Sequence, residues 1–360
     1  MGRMTNLRDF IGIIKDKASQ SKAALLSNPK TLSLHLALLR ATTHDPFTAP
    51  DPRHLAALLS FGDSSRATAS TAIGALMERL QTTRDASVAI KCLITVHHII
   101  KRGSFILQDQ LSVYPPTGGR NYLKLSNFRD NSTPLTWELS SWVRWYALYL
   151  ENLLSNSRVL GFFLCSTSSS VDKDKEEEKV SLLTNNELLK EINSLVNLLA
   201  QISERPNSLH ANGNILMDEV LGLVGEDYLS SINEVSIRIS ELRDRLSCLS
   251  YLDSVELACA LKRLEDCKER LLSIAQRKKV LIETLWGSIS EIKEQVGNIK
   301  MHGEERRLLT MGSSNKASKQ ARFGERVLKH GDSVKFSSGR FLSFNINSSF
   351  RSYESVESCA

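Results

Sequence analysis

Paired cysteines, long apolar runs and strand-type alternation are all missing from this 360-residue chain, and each absence removes a class of protein. The six cysteines, Cys92, Cys165, Cys248, Cys259, Cys267 and Cys359, are scattered without a C-x-x-C pair. That spacing suits neither a zinc site nor a disulfide framework, and fits a reducing, cytosolic compartment. The longest apolar stretches fall far short of the ~20 residues that cross a bilayer. Residues 1–5 lead into a polar segment instead of an apolar signal core, so any membrane contact is expected to be peripheral. Lipid anchors lack their motifs: Asn6 stands where myristoylation requires Ser or Thr, and Cys359 is too near the end for a prenylation box. G-x-S-x-G, P-loop, G-x-G-x-x-G and H-E-x-x-H patterns do not occur. The sequence therefore reads as a non-enzyme without cofactor or metal.

What is present is helical. Apolar residues recur at intervals of three and four over residues 5–300, which gives an all-α fold class. Leu7, Phe10, Ile11 and Ile14, with charged residues around them, describe an amphipathic first helix suited to lying on a membrane or to packing on a neighbour. Residues 32–40 continue helically, 42–52 form a loop marked by Pro46, Pro50 and Pro52, and the helix resumes over 53–60. Further helices are expected over 70–80, 87–101, 105–111 and 137–154. The segment 87–101 is rich in Val and Ile and reads as central; Trp142, Trp145, Tyr146 and Tyr149 share one helix face and read as core. Residues 166–181, Ser-rich and then mixed in charge, read as an exposed linker between a front part, 1–165, and a rear part, 182–300. The rear is expected to hold a helix over 188–199, one or two over 215–249 and one long helix over 253–299. Residues 301–360 lose the apolar period and read as a disordered tail.

Charge is unevenly placed. Residues 1–165 carry 19 Lys+Arg against 11 Asp+Glu (+8), residues 166–299 carry 16 against 23 (−7), and residues 300–360 carry 11 against 6 (+5). A basic front attracts either nucleic acid or an anionic membrane leaflet. No nucleic-acid motif accompanies the charge, so nucleic acid is not the expected partner.

The candidate site lies in that front. Leu39-Arg40-Ala41-Thr42-Thr43-His44-Asp45 is followed ten residues after His44 by Arg53-His54-Leu55, and later by Cys92-Leu93-Ile94-Thr95-Val96-His97-His98. Basic residues with hydroxyls between them suit a compact, multiply charged phosphate headgroup. This order resembles the phosphoinositide-binding front of the clathrin-assembly (ANTH/ENTH) domain of plant clathrin assembly proteins. The resemblance extends through residues 119–130 and Trp142-Val143-Arg144-Trp145-Tyr146-Ala147-Leu148-Tyr149-Leu150. It implies a right-handed helical solenoid and, by position, a phosphoinositide site of Arg40, Thr43, His44, Arg53 and His54. Two departures stand out: the loop is one residue longer, and Asp51 falls where the family has Lys. One cation lost and one anion gained would cost ~2 kcal/mol of attraction, roughly thirtyfold in affinity. In the same comparison His97 and His98 sit within the core as satisfied structural histidines.

The resemblance further implies a peripheral adaptor that binds phosphatidylinositol 4,5-bisphosphate and promotes clathrin coat assembly at coated pits, coated vesicles and the Golgi. Its expected partners are clathrin, SNARE proteins and other coat adaptors. Short docking motifs are weak: Leu308-Leu309-Thr310-Met311 approaches a clathrin box but ends in Gly312, and Asp45-Pro46-Phe47 resembles an adaptor-binding triplet yet lies in the folded front. Asp51 motivates an alternative, a helical interaction scaffold whose lipid site has degenerated and whose rear helices hold a SNARE or coat partner.

Overall fold

A computed structural model describes residues 2–114, 122–164, 173–207, 213–272 and 284–295. The expected tail, 301–360, with its Leu308–Met311 motif, lies outside the described residues, as do residues 119–121 and 166–172. Among the described residues there is no strand, and no helix is long and apolar enough to cross a membrane. The described residues form one compact unit, an all-α stack of helices.

The front begins with α1 (Gly2–Leu26), α2 (Pro29–Ala41) and α3 (Pro52–Leu59), packed in sequence. α4 (Arg66–Thr82) lies on both α5 (Ala86–Arg102) and α6 (Phe105–Ser112). α5 is the central element, with every residue from Ala86 to Lys101 buried. Asp85 caps its start by accepting from the Ser87 and Val88 amides, and Lys101 and Arg102 complement the negative end of its dipole. α7 (Pro134–Leu160) opens with Pro134 and a Thr133–Thr136 capping box and closes at Gly161, whose φ of 79° favours glycine. Its Trp142, Trp145, Tyr146 and Tyr149 are buried, as the spacing predicts.

The rear continues the same core. α9 (Asn185–Ser203) packs against α7, and α10 (Ile215–Asp244) packs on α9 and reaches α5. The described part of residues 166–181 holds a helix, α8 (Lys173–Ser181), laid against α10. A long helix over 253–299 is not what forms. α11 (Tyr251–Asp266) ends at Cys267, α12 (Lys268–Leu272) restarts after it, and residues 284–295 are helical again. Periodicity marks which residues are buried, not where a helix bends; the break at Cys267 keeps Leu261, Leu264 and Leu271 all buried beside α9.

A buried polar cluster ties front to rear. Asp227 of α10 is fully buried; His97 Nε2 lies 2.7 Å from its Oδ2, the Tyr149 hydroxyl donates to the same oxygen at 2.5 Å, and Lys101 Nζ reaches Oδ1 at 3.3 Å. His97 Nδ1 meets the Tyr146 hydroxyl at 2.8 Å. Burial would push the Asp227 carboxyl up, but the His97 and Lys101 charges and the bonds from His97 and Tyr149 hold it below the usual carboxylate range. His98 pairs with Glu219 at 3.2 Å. Both adjacent histidines are thus satisfied within the core.

Candidate functional site

The candidate site is the connection between α2 and α3, residues 42–51, together with the helix ends it joins. Arg40 occupies the last turn of α2 and is exposed. Arg53 and His54 open α3, Arg53 exposed and His54 half-buried. The side chains of Arg40, Arg53 and His54 have no polar partner among the described residues. Three groups able to carry positive charge are therefore available at the two ends of one loop.

The loop itself is held rigid by long-range bonds. Arg79 of α4 grips Thr42, donating from Nε to the hydroxyl at 2.5 Å and from Nη2 to the carbonyl at 2.6 Å. This satisfies a carbonyl that the end of α2 leaves open. Lys91 of α5, 1% exposed, donates to the Thr43 hydroxyl at 2.8 Å and the Thr48 hydroxyl at 3.3 Å. Burial lowers its pKa to about 8, and the nearby Asp45, Asp16 and Asp85 keep it from falling further. His44 is held by Asp16 of α1, which accepts from the backbone amide at 3.1 Å and lies 2.6 Å from Nδ1. α1 approaches closely here because residue 12 is glycine: a Cβ on Gly12 would sit 3.3 Å from that of His44.

Within the loop, Asp45 accepts from the Phe47 amide and the Thr48 hydroxyl, forming a local turn. The Pro46 carbonyl accepts from Asn214, the N-cap of α10, so the loop is also anchored to the rear. Asp45-Pro46-Phe47 is consequently part of a fixed turn. Asp51 is the N-cap of α3, accepting from the Arg53 amide at 2.8 Å with Pro52 behind it.

Of the residues proposed from sequence, Arg40, Arg53 and His54 lie at the helix ends without a polar side-chain partner among the described residues, while Thr43 and His44 spend their polar groups on Lys91 and Asp16. Sequence reasoning missed Lys91, Asp16 and Arg79. Only Lys91 left a signal, as the one charge inside an otherwise apolar-patterned stretch of α5.

Comparison with known proteins agrees with this architecture. Residues 33–273 match the family model described as the ANTH domain. The chain is 56% identical over 349 residues to “Putative clathrin assembly protein At4g40080” of Arabidopsis thaliana, covering 95% of this chain and 96% of that protein. It is 34% identical over 306 residues to “Putative clathrin assembly protein At5g65370” of the same plant, 82% of this chain and all of that protein. A longer relative, “Putative clathrin assembly protein At4g25940”, is 30% identical over 283 residues, which is 75% of this chain but 46% of its own length. With a helical stack, a buried α5 and the Arg40 to His54 connection all in place, this chain belongs to the ANTH-domain family of clathrin assembly proteins.

Proposed function

We propose that this protein is a peripheral membrane adaptor that binds phosphatidylinositol 4,5-bisphosphate through the α2–α3 connection and promotes clathrin coat assembly. The observation that carries the reading is the set of Arg40, Arg53 and His54, without polar side-chain partners among the described residues, at the ends of a loop fixed by Lys91, Asp16 and Arg79. A multiply charged headgroup needs cations that are exposed but held on a rigid frame, because ordering a floppy loop on binding would consume affinity. In this reading Thr43 and His44 shape the frame, and Arg40, Arg53 and His54 contact phosphate.

α1 supplies a second membrane contact. Phe10 and Ile14 are 61% and 52% exposed, Ile11 and Ile13 are exposed with them, and Lys15, Lys17 and Lys22 lie along the same helix. Gly12 and Asp16 occupy the opposite side, against His44, so the apolar residues face away from the site's frame. Such a helix lies in the interfacial plane of a bilayer. Recruitment of clathrin, of SNARE proteins or other coat adaptors, and location at coated pits, coated vesicles or the Golgi extend the family role to this chain.

The test is co-sedimentation of the full chain with vesicles containing phosphatidylinositol 4,5-bisphosphate, wild type against Arg40→Glu/Arg53→Glu. Reversing two cations should lower the bound fraction by tenfold or more in affinity at low salt. Equal binding by both chains would remove the α2–α3 connection as the lipid site.

A further inference from the structure

α7 packs against α5 and α9, and the segment 122–130 runs antiparallel beside it. The Leu123 amide donates to Glu151, the Phe128 carbonyl accepts from Arg144, and the Asp130 amide donates to Ser140. One narrow face of the helix stays open. Trp137, Ser141, Arg144 and Leu148 fall within about 60° of one another at 3.6 residues per turn. Trp137 is 54% exposed and Leu148 45% exposed, and they stand about 16 Å apart along the helix axis.

Two guanidinium groups lie between these apolar ends. Arg144 donates from Nη1 to the Phe128 carbonyl at 2.8 Å and from Nη2 to the Ser141 hydroxyl at 2.9 Å. Arg129 donates to the same carbonyl at 3.3 Å, with its guanidinium carbon 5.9 Å from the centre of the Trp137 ring. Neither arginine pairs with a carboxylate among the described residues, and the exposed Lys124 of the same segment makes no ion pair there either. The acids bordering the segment are buried and committed: Glu151 accepts from the Leu123 amide, and Asp130 from the Ala86 and Ser132 amides. Glu138 lies about 100° round the helix from Trp137. Burial and the adjacent Arg129 charge lower the Arg144 pKa. The two cations are thus held side by side against their repulsion, with most of their N–H donors unspent.

We propose that this face of α7 docks a short acidic peptide segment of a partner protein, its carboxylates on Arg129 and Arg144 and an apolar side chain at each end on Trp137 and Leu148. Trp and Arg are the residue types that anchor interfaces, and charge complementarity selects an acidic occupant. The open strip is one side chain wide, which fits an extended chain better than a second helix. At about 3.3 Å per residue, about five extended residues cover its length. Apolar residues sharing one side of such a segment stand four or six positions apart, with the acids at alternate positions between them. A bilayer would be met by clustered apolar side chains with cations around them; here the order is reversed. The proposal uses none of the residues of the α2–α3 connection and does not rest on that reading.

The probe is a fluorescein-labelled peptide, Gly-Leu-Ser-Glu-Ser-Glu-Ser-Leu-Gly, titrated with the full chain at physiological salt and followed by anisotropy. Saturable binding is expected, at least tenfold weaker when both glutamates are replaced by glutamine, which tests the charge without altering the protein. Trp137→Ala/Leu148→Ser and, separately, Arg129→Glu should each weaken binding at least tenfold; all three side chains are exposed, so the circular-dichroism spectrum should not change. Arg40→Glu/Arg53→Glu should leave peptide binding as it is. Absence of saturable binding, equal binding of the glutamine peptide, or loss through Arg40→Glu/Arg53→Glu in place of the α7 changes would overturn the proposal. So would a chain that ignores the peptide while Trp137→Ala/Leu148→Ser lowers its binding to bisphosphate vesicles, since the face would then be a membrane contact.

Discussion

Asp51 caps a helix at the connection proposed to bind lipid. Its carboxylate caps α3 by accepting from the Arg53 amide, so Asp51→Ala should cost about 1 kcal/mol of stability in urea denaturation. Asp51→Lys should lose that cap and yet bind bisphosphate vesicles roughly thirtyfold more tightly, from a charge change worth ~2 kcal/mol. Unchanged vesicle binding by Asp51→Lys would place Asp51 outside the headgroup's field. Lys91 offers a second test, with a defined pH window. Its pKa is 10.5 when unfolded and about 8 when folded. Below pH 8 both states are protonated and the folded state carries the full penalty of a buried charge. Between pH 8 and 10.5 the unfolded state holds more protons, so stability rises with pH. Wild type should therefore gain on Lys91→Met by up to about 3 kcal/mol across that window, measured as the difference in unfolding free energy. A flat difference would contradict the buried, charged state of Lys91. Arg40, Arg53 and His54 were legible in sequence because they sit at local helix ends. Their supports were not: Lys91–Thr43, Arg79–Thr42 and Asp16–His44 join residues 48, 37 and 28 positions apart, and no local pattern encodes such pairings.

At the scale of elements, α5, α7 and α10 meet through the His97, Tyr149, Lys101 and Asp227 cluster rather than through apolar packing alone. Removing one member leaves buried charge without its partner, so Asp227→Ala should destabilise the chain by about 3–5 kcal/mol in urea or thermal unfolding. A loss under about 1 kcal/mol would show that the cluster is dispensable. The sign with pH follows from a lowered carboxyl. Its stabilising contribution is present above the unfolded carboxylate pKa and is lost as pH falls through the folded value. The helices themselves were readable from periodicity and caps, with α4, α5, α7 and α9 each falling where apolar spacing predicts. Periodicity could not supply the interruption at Cys267, since the apolar stripe runs on through the bend. Nor could it pair His97 with Asp227, 130 residues away; it identified His97 only as a core residue.

For the whole molecule, the charge asymmetry acquires a direction. The +8 front carries the α2–α3 connection and the exposed apolar side of α1, while residues 166–299 carry −7. In the proposed role, a bilayer of negative surface potential would attract the first and repel the second, orienting the chain as well as recruiting it. Attraction of this kind follows charge density alone, whereas a headgroup site adds recognition of a particular phosphate arrangement. The most direct measurement compares binding of the full chain to two vesicle populations matched in surface charge, one containing phosphatidylinositol 4,5-bisphosphate and the other phosphatidylserine. A membrane adaptor built on this site should bind the bisphosphate vesicles at least tenfold more tightly at physiological salt. Equal affinity for both, or binding to neither, would contradict it.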